Sequence, residues 1–229
     1  MLSRVLEPEV MNDLQEAIEY NDMDFSQVNR AFVDDLIAFA NQDGGSLGPD
    51  VLDLGTGTAR IPVELCTQVP SVRVMASDAS TQMLELARYN IEIHHMLDRI
   101  QLHRGDAKKL VFGREFFDAV ISNSLVHHLP ECDVFFAEAL RVLRPGGVLF
   151  VRDLFRPQTL DQIESLVALH AGSENQHSQQ LFRQSLQAGW TIEELMEILR
   201  PLGIDASSLS MTSDRHWTLA YRKPIGTQS

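Results

Sequence analysis

The stretch Val51-Leu52-Asp53-Leu54-Gly55-Thr56-Gly57-Thr58-Ala59-Arg60-Ile61-Pro62 constrains this chain more than any other. A short apolar run ends in an acid, breaks into a tight turn of small residues, and gives way to a helical pattern at Pro62, Val63 and Leu65. Gly55 and Gly57 can take backbone angles that a Cβ forbids, and they let a ligand approach the main chain closely. The helix that follows presents unpaired N–H groups and a partial positive charge. Strand, glycine turn and helix in that order predict the opening of a nucleotide-binding α/β domain.

The rest of the chain agrees with that opening. Residues 1–46 read as helical, with Val28, Phe32, Val33, Leu36 and Ile37 at helical spacing, and form an N-terminal helical cap. From residue 50 to about 153, apolar or β-branched runs at 51–54, 72–77, 100–102, 119–123 and 148–153 alternate with helices near 61–68, 80–92 and 131–143. Leu143-Arg144-Pro145-Gly146-Gly147 reads as a turn feeding the fifth strand. Residues 157–190 are polar and helical in tone, an insertion or lid, and Thr191-Ile192-Glu193-Glu194 has the form of a helix N-cap. Two last strands, near 207–212 and 217–221, complete a C-terminal helix and strand hairpin over 191–229. The expected fold is a single α/β domain: a Rossmann-like, seven-stranded, mostly parallel sheet with helices on both faces.

The glycine loop departs from the dinucleotide fingerprint, because Arg60 stands where its third glycine belongs and would spoil close helix–strand packing. The small residue comes at Ala59 instead. The register Asp53-x-Gly55-x-Gly57-x-Ala59 resembles the first motif of the class I S-adenosylmethionine (SAM)-dependent methyltransferases, with alanine for the usual third glycine. Further segments resemble that family. Asp78-x-Ser80-x-x-Met83-Leu84 lies about twenty residues beyond the loop, where a carboxylate can accept from two adjacent ribose hydroxyls. Gly105-Asp106-Ala107 follows the third strand. Phe117-Asp118-Ala119-Val120-Ile121-Ser122-Asn123-Ser124-Leu125-Val126-His127-His128 resembles the strand-four segment of small-molecule methyltransferases.

The resemblance implies roles for these residues. Asp53 helps hold the glycine loop and, through water, the methionine amino group of SAM, Asp78 accepts from the ribose hydroxyls, and Gly55, Thr56, Gly57, Ala79 and Met83 are further cofactor contacts. Asp106 and Ala107 meet adenine, and Ser122 and Asn123 line the methionine end. S-adenosylhomocysteine is then the product. Each acid has a plainer alternative as a helix cap or turn residue.

The chemistry of transfer needs less from the protein. Displacement at an activated sulfonium asks mainly for alignment and a desolvated pocket. An oxygen acceptor also needs its proton handled. His127 and His128 after the fourth strand, Asp153 at the end of the fifth, and Tyr20 in the cap are the candidates, each with packing as the competing reading. Arg156, Arg183 and Arg215 are candidate contacts for a small-molecule substrate, anionic or aromatic, although surface ion pairing is the commoner use of such arginines. No Asn/Asp-Pro-Pro-Tyr follows strand four, which argues against nucleic-acid bases and glutamine side chains as acceptors. His127 and His128 are adjacent, and adjacent residues on a helix do not face one way. No metal is expected.

Composition supports this reading. Formal net charge is −13 and pI about 4.9, which argues against a bare nucleic-acid surface. No run approaches the ~20 apolar residues of a membrane span. Cys66 and Cys132 stand apart, in keeping with a reduced cytoplasmic setting. The expected function is methyl transfer from SAM to a small molecule at oxygen or activated carbon. The alternatives are a non-catalytic SAM-binding regulatory protein, a protein or peptide methyltransferase, and a nicotinamide dehydrogenase, against which Arg60 argues.

Overall fold

A computed structural model of the chain describes residues 2–7, 17, 18, 21 and 25–225. The strands are β1 (Asp50–Leu54), β2 (Arg73–Asp78), β3 (Ile100–Arg104), β4 (Phe117–Asn123), β5 (Leu143–Leu154), β6 (Leu209–Met211) and β7 (His216–Arg222). They form one sheet in the order β3-β2-β1-β4-β5-β7-β6. β1 lies parallel to both β2 and β4, with Val51 opposite Val74 and Ala119, and β2 lies parallel to β3. β6 and β7 pair antiparallel, Leu209 opposite Leu219. The buried runs of β1 and β4 are continuous rather than alternating, as a parallel sheet covered on both faces requires. The strand order reverses between β1 and β4, and such a reversal opens a ligand crevice beyond the carboxyl ends of the strands.

The contacts group the described residues into two compact units, one of residues 2–7, 124–133 and 152–219, the other of 17, 18, 21, 25–123, 134–151 and 220–225. In the larger unit, α1 (Ser26–Ala40) buries Phe32, Val33, Leu36 and Ala40 in a core shared with Val51, Ile121, Val148 and Phe150. The rings of Phe32 and Phe150 meet edge to face at 5.2 Å. α2 (Arg60–Gln68) and α3 (Thr81–Ile93) connect β1, β2 and β3, and α4 (Asp133–Val142) precedes β5. Ser80 caps α3 by accepting from Met83 N at 3.2 Å.

In the smaller unit, the polar 157–190 stretch forms two helices, α5 (Leu160–Ala171) and α6 (Gln176–Ala188). Ile163, Val167 and Ala171 of α5 pack with Leu154, Leu186 and Leu2. Reciprocal capping boxes, Thr159 with Gln162 and Thr191 with Glu194, start α5 and α7 (Ile192–Leu199).

Two expectations need correction. Residues 2–7 are not helical, although Ala17, Ile18, Asn21 and α1 are. Pro8 disfavours the helical region for the residue before it, and Val5 N donates instead to Gln187 O at 3.3 Å. The Leu143–Gly147 segment is not a free turn but the start of β5. Gly146 takes the left-handed conformation at φ +78°, and Gly146 and Gly147 exchange hydrogen bonds with Lys223 at 2.8 and 2.9 Å.

Gly48 enters β1 with φ +75°, and a Cβ there would stand 2.3 Å from Asp118 Cβ. Asp118 cannot yield easily, because its carboxylate accepts from Asp50 N and from Arg144 at 3.0 and 2.6 Å. Gly48→Ala should therefore lower stability by about 2–3 kcal/mol, read as a fall in the urea midpoint without a change in slope.

Candidate active site

The carboxyl ends of four adjacent parallel strands, β3, β2, β1 and β4, gather all eleven residues expected to meet the cofactor, within the larger unit. Asp53, near the end of β1, is 2% exposed. Burial pushes its carboxyl up to about 7 against the pull of the nearby Thr56 hydroxyl, and the neighbouring charge of Asp78 adds to the rise. Asp53 Oδ2 and Thr56 Oγ1 are buried with no hydrogen-bond partner. A buried carboxylate oxygen left unpaired is costly and signals a missing donor.

The loop itself is tied to β2. Gly55 N and Thr56 N both donate to Ser77 O, at 2.9 and 3.0 Å. Asp78 Oδ2 accepts from Gly57 N and Asp78 Oδ1 from Ser80 N, each at 2.8 Å. Burial raises the Asp78 carboxyl against the pull of these bonds. Gly57 sits at φ +54° with nothing within 4 Å of where its Cβ would be, so the loop faces open space. Ala59 holds φ +60°, the left-handed turn into α2 where the family's third glycine would stand.

The remaining expected contacts take different situations. Met83 is buried in α3 and Ala79 half-buried before it. Asp106 is exposed and turned toward its own loop, Oδ1 accepting from Lys108 N at 2.8 Å and facing Lys108 Nζ at 3.1 Å. Ala107 is half-buried beside it. Ser122 is fully buried and donates to Leu54 O at 2.7 Å, which ties β4 to the start of the glycine loop. Asn123, half-buried, ends β4. Asn90 was missed from the sequence. Its amide donates to Thr58 O at 2.9 Å and to Asn21 Oδ1 at 3.0 Å, and Arg60 bonds to Asn21 O. A buried asparagine on the apolar face of α3 was the available signal.

The smaller unit holds a second polar cluster. Asp153 is fully buried and accepts from Val126 N, from His127 N at 3.2 Å, from Leu154 N at 2.6 Å, and faces His127 Nδ1 at 2.5 Å. On its other side His127 Nε2 faces Glu7 Oε1 at 3.1 Å, and His128 Nδ1 lies 3.3 Å from the same oxygen. Burial alone would lower His127, but Asp153 and Glu7 raise it to about 10. Burial alone would raise Glu7 and Asp153, yet the imidazoles hold both below the usual carboxylate range. His127 is thus a buried cation between two carboxylates. The expectation that neighbouring histidines diverge is overturned: in the tight turn Val126–His128 the two rings stand 4.2 Å apart.

Arg4, unremarked in the sequence, fastens this cluster. Its guanidinium donates to Ala188 O, Pro130 O, His127 O and Leu129 O at 2.6–3.1 Å and lies 3.9 Å over the ring of Trp190. The three arginines expected at a substrate are placed differently. Arg156 is 2% exposed and bonds to Leu2 O, Gly189 O and Glu194. Arg183 forks onto Glu164 at 2.8 and 2.9 Å. Arg215 bonds to Asp214 and His170 at 3.1 and 3.0 Å. Each already has an internal acceptor, because a guanidinium beside carboxylates and carbonyls pairs where it can. Tyr20 lies outside the described residues.

Known proteins agree with this geometry. Residues 51–147 match the family model described as a methyltransferase domain. The biotin biosynthesis bifunctional protein BioHC of Teredinibacter turnerae is 32% identical over 65% of this chain and 26% of its own length. The erythromycin 3''-O-methyltransferase of Saccharopolyspora erythraea is 38% identical over 50% of this chain and 38% of its own. The demethylmenaquinone methyltransferase of Lactobacillus johnsonii is 33% identical over 48% and 46%. The chain thus spans half or less of the length of these curated relatives. Among solved structures, a SAM-dependent methyltransferase from Aquifex aeolicus superposes with TM-score 0.67 at 16% identity, covering 93% of this chain and 99% of that one. Residues 51–147 thus resemble a methyltransferase domain, and the fold is similar to that of a SAM-dependent methyltransferase of known structure. Among the described residues no helix is long and apolar enough to cross a membrane.

The ion cluster should govern stability against pH. His127 is raised, so the stability it contributes is whole below its ordinary value near about 6.5 and lost as pH climbs through about 10. Glu7 and Asp153 are lowered, so their share is present above about 4 and lost on acidification. Asp153→Asn should cost about 3–5 kcal/mol, since it strands a buried imidazolium. Urea midpoints measured along the alkaline limb should lose most of their slope in that variant.

Proposed function

We propose that this protein transfers the methyl group of SAM to a small-molecule acceptor, at oxygen or an activated carbon. The observation that carries the reading is Asp53: a buried carboxylate with one oxygen unpaired, at the foot of a glycine loop that faces open space. The residues fit the cofactor on chemical grounds. Asp53 would take the methionine ammonium, and Asp78 retains lone pairs for two ribose hydroxyls beyond its bonds to Gly57 and Ser80. Asp106 and the Ala107 N–H would meet adenine, and Ser122 and Asn123 would border the methionine end. SAM, when bound, supplies a methyl group already activated on a cationic sulfur.

The chain's own part is alignment and exclusion of water. Asp153 and His127 act in this reading by holding the segment after β4, since His127 as a doubly paired cation takes no further proton. His128, 26% exposed at its side chain, is the more accessible member of the pair. The relatives include an O-methyltransferase and a quinone-pathway methyltransferase by name, which supports a small acceptor and leaves both atom types in play. The buried cysteines, with burial pushing Cys66 and Cys132 up to about 11 and 12, suit a reduced, cytoplasmic setting.

Calorimetric titration with SAM tests the cofactor reading. Asp78→Ala should weaken binding about 10-fold or more through loss of charge-assisted bonds to the ribose; unchanged affinity would remove Asp78 from the site. A second outcome concerns pH. Below about 7 the free protein holds Asp53 protonated, whereas the ammonium requires it ionised, so affinity should fall as pH drops through that value. Affinity flat with pH would show that Asp53 does not meet the ammonium. Formation of S-adenosylhomocysteine with a small-molecule pool, and not with protein substrates, separates the proposed reaction from a regulatory or peptide-directed role.

A further inference from the structure

We propose that Glu7 Oε1, His127 Nε2 and His128 Nδ1 bind one divalent transition-metal ion of the zinc class, with a coordination position left open. One ligand atom from each of these three residues lies within 4.8 Å of the others. The carboxylate oxygen stands 3.1 Å from one ring nitrogen and 3.3 Å from the other. Two ligand atoms each about 2.0–2.1 Å from a tetrahedral zinc ion are separated by about 3.3–3.4 Å, so these edges are already near those of a coordination shell.

A second observation is independent of the spacing. The Glu7 side chain is nine-tenths buried, and its Oε1 makes no hydrogen bond of proper direction despite two nitrogens this close. Short contacts without hydrogen-bond geometry are what a shared cation resolves. The other carboxylate oxygen is occupied by Ser185 Oγ at 3.2 Å, which turns Oε1 toward the imidazoles.

The surroundings are those of a metal ligand as well. Asp153 Oδ1 faces His127 Nδ1, the carboxylate–histidine arrangement that fixes the tautomer and presents the far nitrogen to a cation. Arg4 pins the extended segment that delivers Glu7 by four bonds to backbone carbonyls. The ion would take the place of the proton that His127 carries on Nε2. Two imidazoles and one carboxylate suit zinc, cobalt or iron(II) rather than magnesium or calcium, which favour all-oxygen shells. Three protein ligands leave room for water or a substrate oxygen, the pattern of reactive rather than structural sites.

The test uses the full chain, stripped with chelator and titrated with Co²⁺ alone. One ion per chain should bind with the intense visible absorption of a four-coordinate site, and Zn²⁺ should displace it. Glu7→Ala and His128→Ala should each weaken Co²⁺ binding about 10-fold or more and bleach the band. Circular dichroism of both variants checks that they fold, and the wild-type spectrum stands whichever way they behave. No uptake by the wild type, or a pale six-coordinate spectrum indifferent to both substitutions, would overturn the assignment.

Discussion

A carboxylate with no access to water must find donors, and much of the smaller unit is arranged around the ones Asp153 finds. Two backbone N–H groups of the turn after β4, the N–H of Leu154 and the His127 ring all point at it. Those bonds set where the turn Val126–His128 sits and which way the His127 ring faces. A negative charge so placed favours a positive imidazole beside it, and that cation in turn draws Glu7 in from the N-terminal segment. Remove the carboxylate and the turn loses its anchor, the histidine its partner, and Glu7 its reason to be buried.

Asp78 plays the corresponding part in the larger unit, where it joins the glycine loop to the start of α3. The two acids differ in what they leave unsatisfied. Asp153 finds donors for both of its oxygens. Asp53, close to Asp78, keeps an oxygen without a partner. Asp153 therefore fixes the backbone around it, whereas Asp53 retains an oxygen that can meet a ligand.

The region from 50 to 153 could be read from sequence because a parallel sheet imposes long apolar runs and the loops at their ends carry marked residues. Strand and helix limits there fell within a few residues of those observed. Leu143–Gly147 misled because Pro-Gly-Gly normally marks a turn; its extended state depends on Lys223, eighty residues away in the chain order, and nothing local announces it. Residues 2–7 failed for a similar reason. Helical periodicity is a local signal, whereas Arg4 answers to carbonyls at 127, 129, 130 and 188. The divergence expected of His127 and His128 holds for a regular helix and not for a turn pulled tight by Asp153.

The arginines carry the more general lesson. In a chain of net charge −13, an unassigned arginine suggests an anionic ligand when only sequence is in hand. Yet the acids that supply the excess charge are also the nearest acceptors. Glu194, Glu164 and Asp214 meet Arg156, Arg183 and Arg215, and backbone carbonyls take the donors that remain on Arg4 and Arg156. Guanidinium groups here fasten loops and helices to one another. The positive charge of these three residues is therefore consumed by internal acceptors, and they form no free cationic patch.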